Sequence, residues 1–196
     1  MESNQYLDRL LLRYSGTFNI YKPYRIAETE FSAYGYFYNH IEKYVLTRDA
    51  NLWTSDSYEH ILFIETDNVS IDNIEKISTI ITDYMEPEMV RKGEKYPEKN
   101  HMYSYLSVIF ISKHKPDKKV IQTIKHFNYD KGYLFNMRGY SQAQLGLVCM
   151  DDESIFTNRT GRKKKTVLRE VFKEVKENKI GFDEMCEKQS IQTNKQ

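Results

Sequence analysis

The chain has 196 residues, enough for one domain with a sizeable core. Lys and Arg number 29 against 28 Asp and Glu, so the net charge is +1 and no global field steers the protein to nucleic acid or an anionic membrane. The two cysteines, Cys149 and Cys186, form no C-x-x-C pair and do not make a disulfide scaffold, and no apolar run approaches the roughly 18 residues that would span a bilayer.

The first stretch, "LDRLLLRY", places Leu7, Leu10, Leu11 and Tyr14 on one helical face, with Gly16 to end the helix. The N-terminus "MESNQYLDRLLLRY" reads as acidic and amphipathic rather than as a basic start followed by an apolar run, so a soluble, cytoplasmic protein is expected. From Phe18 to Glu65 the period changes to two, which predicts an antiparallel meander including "FSAYGYFYNH", "KYVLT" and "YEHILFIE". Ser70 is an N-cap for a helix with Ile71, Ile74, Ile77, Ile81 and Tyr84 inward, and Pro87 is expected to end it nearby.

Residues 86–101 form a long polar connection, read either as a solvated loop or short helix, or as a flap over the Tyr face of the sheet. Residues 103–111 are apolar on both faces and predict a central strand. A helix after Pro116 turns Val120, Ile121, Ile124 and Phe127 inward, and "YLFNMR" reads as the next strand. "AQLGLVCM" and "SIFTN" pair across the acidic turn Asp151, Asp152, Glu153. After Gly161 an amphipathic helix buries Val167, Leu168, Val171, Phe172 and Val175. The expected fold is α/β: a single domain with a mixed sheet and helices on its faces. The expected division is a core at 1–160, a basic helix packed on it at 161–180 and a polar, frayed tail at 181–196.

Gly139-Tyr140-Ser141-Gln142-Ala143 stands one residue away from the G-x-S-x-G elbow of serine hydrolases. That elbow needs a helix after the serine and a histidine later in the chain. Here a strand follows, and the last histidine is His126. Ser141 therefore reads as a turn residue bonding its own main chain, with Gly139 supplying the unusual backbone. The five histidines show no H-x-x-x-H spacing, no glycine pattern cradles a phosphate, and "GRKKKT" lacks the upstream half of a P-loop. No cofactor, metal site or catalytic residue is implied.

Two candidate sites remain. The first is a Tyr-lined ligand groove under the flap, built from Tyr34, Tyr36, Tyr38, Arg91, His101 and Tyr103. The second is the basic run Arg159, Arg162, Lys163, Lys164 and Lys165, a polyanion site unless it is a solvated helix start balanced by Asp151, Asp152 and Glu153.

The order of elements over residues 3–112 resembles the restriction-endonuclease-like fold. That resemblance implies a magnesium-dependent nuclease with a D/E-x-K strand. Here Glu59 and Glu65 lie on the matching strand without the lysine, and all three D/E-x-K matches fall on predicted helices. The stretches "LLLRYSGTFNIY", "YGYFYNHIEKYVL", "YMEPEMVRKGEKYP", "NHMYSYL" and "KGYLFNMRGYSQ" resemble a family of short uncharacterised clostridial proteins over residues 5–160. That resemblance implies a cytoplasmic bacterial protein and carries no catalytic residues over. The expectation is a non-catalytic ligand-binding or regulatory domain whose partner is a small molecule or a protein; the alternative is a diverged nuclease-like hydrolase acting on nucleic acid. Membrane partners are not expected.

Overall fold

Leu7, Leu10, Leu11 and Tyr14 recur at helical spacing, and in the computed structural model they are the buried stripe of α1 (Ser3–Ser15), capped by Gly16. Residues 2–43, 53–177 and 180–193 are described. Short strands β1 (Asn19–Tyr21), β2 (Tyr24–Ile26) and β3 (Thr29–Phe31) precede the long pair β4 (Ala33–Lys43) and β5 (Trp53–Thr66). Helix α2 (Ile71–Ile80) starts on a capping box, in which the Ser70 hydroxyl accepts from the Asn73 N–H and the Asn73 side chain accepts from the Ser70 N–H. Then come β6 (His101–Ser112), α3 (Lys118–His126), β7 (Asp130–Gly132), β8 (Tyr140–Cys149) and β9 (Ile155–Thr157). A 3-10 turn (Thr160–Lys163) leads into α4 (Lys164–Lys176), and α5 (Phe182–Thr193) follows.

Among the described residues seven strands form one mixed sheet in the order β1-β4-β5-β6-β8-β7, with β9 also on β8. The β1, β4, β5 meander is antiparallel, as its period predicts. β6 runs parallel to both β5 and β8, which makes it the central strand. Two separate cores result from the alternation along these strands. Leu62, Val108, Phe110 and Leu147 face α2 and α3, while Ile61, Phe63, Ile109 and Val148 face α1 and α4. Each fully buried side chain of this kind stabilises the fold by roughly 1.5–3 kcal/mol. No helix among the described residues is long and apolar enough to cross a membrane.

Four expectations are corrected. Pro87 does not stop the helix: α2 continues as a π-helix over Ile81–Val90 with Pro87 inside it. The wider turn relieves the clash of the proline ring with the preceding turn. "YLFNMR" is not a strand but the loop of a hairpin between β7 and β8, with Leu134, Phe135 and Asn136 at positive φ. Its apolar letters mislead, because Phe135 is 99% exposed. The stretch read as a frayed tail forms α5, tied to α1 where the Asp183 N–H donates to Asp8 at 2.9 Å. The acidic turn does not balance the basic run: Asp152 pairs with Lys115, and Glu153 pairs with Lys176 at the far end of α4. Of the expected strand "KYVLT", residues 44–47 lie outside the described ones.

Candidate functional site

On the α1/α4 face the central strands change character along their length. Ile109, Ile111 and Val148 are apolar, but the preceding positions on the same face are Tyr103, Tyr105 and Ser107 on β6 and Gln142 and Gln144 on β8. Glu59 occupies the corresponding place on β5, one face-position before Ile61. Helices α1 and α4 lie antiparallel over the apolar end, held by Arg9 to Glu174 and by Arg13 to both Glu170 and Glu174. The polar end is left open between the end of α1 and the start of α4, as a cavity of about 560 Å³. That size falls in the roughly 300–1,000 Å³ range of small-molecule pockets.

Glu59 and Lys164 form an ion pair in the cavity wall, with side chains only 13% and 12% exposed. The Lys164 ammonium donates to Glu59 Oε1, and the Ser107 hydroxyl donates to the same oxygen at 2.6 Å. Burial, reinforced by the Glu59 charge, raises the Tyr14 hydroxyl well above its ordinary pKa, so it stays neutral. Tyr105 is raised in the same sense by burial and its hydrogen bond to Tyr140. Tyr103 and Tyr105 make an aromatic wall, their ring centroids 4.7 Å apart.

Asn158 sets where the basic segment lies. Its Oδ1 accepts from the N–H groups of Leu145 (3.0 Å) and Gly161 (2.9 Å), while its Nδ2 donates to the carbonyls of Phe127 (3.1 Å) and Ala143 (3.0 Å). Two bonds accepted and two donated use the full capacity of this buried amide. Thr160 donates to the Ala143 carbonyl as well. A Cβ on Gly161 would lie 2.9 Å from Asn158 Oδ1, so only glycine allows this approach. The run that follows is thereby pinned against β8, with Lys163 and Lys164 on the cavity. Arg159 and Arg162 are exposed and Lys165 is half-buried; none of these three lines the cavity.

The predicted Tyr groove divides between two faces. Tyr34, Tyr36 and Tyr38 lie on the α2 side: Tyr34 is buried and bonds His60 Nδ1 at 2.8 Å, and Tyr38 donates to Asp56 at 2.9 Å. His101 is on that side too, between Ser104 and the Arg138 carbonyl, each at 2.8 Å. The carbonyl can only accept, so Nδ1 carries the proton. Tyr103 is on the opposite face, because β6 has an extra residue against Asp56 and Ser57 of β5. Arg91 is committed to Glu86, at 2.6 Å and 3.2 Å. The connection does fold over the Tyr face, but it leaves only about 30 Å³ among Tyr36, Tyr58, Lys92, Glu98 and His101, room for about one water.

Ser141 is neither a nucleophile in an elbow nor a turn residue bonding its own main chain. It lies inside β8, fully buried, with its hydroxyl 2.7 Å from that of Tyr133. Tyr133 also donates to Glu86 at 2.9 Å, and Lys131 pairs with the same carboxylate at 2.8 Å. Burial pushes the Glu86 pKa up, but Arg91, Lys131 and Tyr133 outweigh it and the net shift is downward. Gly139 does hold the expected left-handed backbone, at φ +72°.

Sequence reasoning missed Gln142, Gln144, Ser107 and Arg13 as site residues. A signal was present: in "YSQAQLGLV" the glutamines alternate with Ala143 and Leu145 at the start of an otherwise buried strand. Of the nuclease candidates, Glu59 is in the cavity wall, and Glu65 is near the other end of β5. Among the described residues, no group of three or more His, Cys, Asp or Glu side chains could hold a metal ion.

No curated protein and no solved structure matches the chain. A family model does, over residues 2–170, which spans the sheet and the first half of α4. The chain belongs to that family, described as a domain of unknown function, DUF8052.

Proposed function

We propose that the protein is a non-catalytic binding domain for a small polar molecule, and that the cavity between α1, α4 and the polar end of the sheet is its site. The carrying observation is that cavity of about 560 Å³ with the nearly buried Glu59–Lys164 pair in its wall. Buried ion pairs are weak contributors to stability, and one beside an open cavity is better explained as a preorganised recognition element. The Tyr-lined groove is thus read on this face, with Tyr103 and Tyr105 as its aromatic wall. A nuclease-like reading asks for converging carboxylates. Among the described residues the cavity lining has Glu59 as its acid, against Arg13, Lys163 and Lys164.

Thr17 is exposed at the cavity edge and belongs to neither core. A Trp there covers the mouth without disturbing packing. A thermal-shift screen of small polar metabolites should give compounds that raise the Tm of the wild type and not of Thr17→Trp. Compounds that stabilise both proteins equally would place the site elsewhere and sink the reading.

A further inference from the structure

Gln144 is buried to 8% exposure, lines the cavity, and has no hydrogen-bond partner for its side-chain amide among the described residues. Its amide atoms are not sealed in the core, where the unpaired buried polar atoms among the described residues are His60 Nε2 and Ser154 Oγ, but open onto the cavity. Its neighbour Gln142 is occupied, donating to Asp130 at 2.5 Å, and Asn158 is occupied four times over. The amide on the cavity wall therefore presents to the cavity a donor and an acceptor uncommitted to other side chains among the described residues.

The charges around it are asymmetric. Arg13 is neutralised by Glu170 and Glu174, and Lys164 by Glu59. Lys163 lines the cavity and has no ion pair among the described residues. The acids of the 151–153 turn are spent on Lys115 and Lys176. Among the described residues Lys163 is thus the cavity-lining cation without an ion pair.

Resting on the ligand-binding reading, we infer that the ligand is a planar organic anion: a ring with a donor–acceptor edge for Gln144 and an acid group, phosphate or carboxylate, for Lys163. The ring lies against Tyr103 and Tyr105, whose π faces accept any planar system. The Glu59–Lys164 pair below it remains paired. The rim lysine carries the acid group, where a solvated charge is met without the cost of burying it.

Calorimetric titration with two matched pairs tests this: adenosine monophosphate against adenosine, and nicotinate against nicotinamide. In at least one pair the acid member should bind about tenfold tighter than its neutral partner at low salt, and the gap should narrow as salt screens it. The pair with the gap tells phosphate from carboxylate. Lys163→Gln, at an exposed position, should close the gap and leave the melting temperature unchanged. Gln144→Leu should weaken both members of that pair alike. A neutral member that binds as tightly as its acid overturns the anion inference while leaving the cavity reading intact. So does an acid preference that survives both salt and Lys163→Gln. No heat from any of the four in the wild type at millimolar concentration also overturns the inference, whatever the Thr17→Trp screen shows.

Discussion

At the scale of single residues, the polar groups sort by whether their partners are complete. Ser141 shares Tyr133 with Glu86, so removing its hydroxyl leaves Tyr133 still bonded. Ser141→Ala should cost about 1 kcal/mol in urea unfolding, and a fluorophosphonate probe should not label the wild type. Stoichiometric labelling lost in the alanine variant would restore a nucleophilic serine. Glu59 and Lys164 depend on each other more heavily. Lys164→Met leaves a nearly buried carboxylate unpaired and should cost about 3 kcal/mol, most of it recovered when Glu59→Gln is added. Additive losses in the double variant would mean the pair is not coupled. His60 sets a pH dependence. Its Nε2 is buried without a hydrogen-bond partner among the described residues, and burial lowers its pKa from 6.5 to about 4. The unfolded chain binds that proton more readily, so stability is full above pH 6.5 and falls as pH drops from there towards 4. Urea midpoints at pH 7 and pH 4.5 should show a loss larger in the wild type than in His60→Leu, by on the order of 2 kcal/mol. Equal losses in both proteins would show that His60 is protonated as easily folded as unfolded.

At the scale of elements, the strongest periodicities were the most legible. α1, α4 and the central strand were readable because their apolar residues repeat over enough positions to define a face. Val108 is fully buried in β6, and Val108→Asp should abolish soluble folding, since an unpaired buried charge costs several kcal/mol. A soluble, cooperatively melting variant would contradict the two-core arrangement. The misread stretches share a cause: local composition was overridden by tertiary demands. Leu134 and Phe135 look like strand residues, yet the short β7–β8 hairpin needs left-handed backbone there. Pro87 looks like a stop, yet the π-helix carries Glu86 inward to Arg91, Lys131 and Tyr133. The anchor of the basic segment was invisible for another reason. Nothing in "NRTG" says that Asn158 will find four partners on three separate stretches. Asn158→Ala should cost about 3 kcal/mol, since four net hydrogen bonds of roughly 1 kcal/mol each are partly regained by water. A loss below about 0.5 kcal/mol would show that the segment is held by the α4 apolar face alone.

At the scale of the molecule, the sheet has two unlike faces. On the α2 side the 86–101 connection leaves only about 30 Å³ among Tyr36, Tyr58 and His101, while a cavity of about 360 Å³ is lined by the connection itself and Arg138. The α1/α4 side is closed at its apolar end and open at its polar end. From sequence, the aromatic clusters Tyr34, Tyr36 and Tyr38 drew the site to the first face. Only the register shift at the start of β6 and the antiparallel seating of α1 on α4 put Tyr103, Glu59, Lys164 and Gln144 together on the second. Such long-range placement leaves no mark in local periodicity. The central claim is that the open face binds the ligand, and the two faces carry different reporters. Titrating uniformly 13C,15N-labelled protein with adenosine monophosphate, and then with nicotinate, while following side-chain amide resonances and aromatic rings by NMR separates them. The account predicts that the Gln144 side-chain amide and the Tyr103 and Tyr105 rings shift with a common saturation, while Tyr36, Tyr58 and His101 stay still. Shifts confined to Tyr36, Tyr58 and His101 would place the site under the 86–101 connection and contradict it.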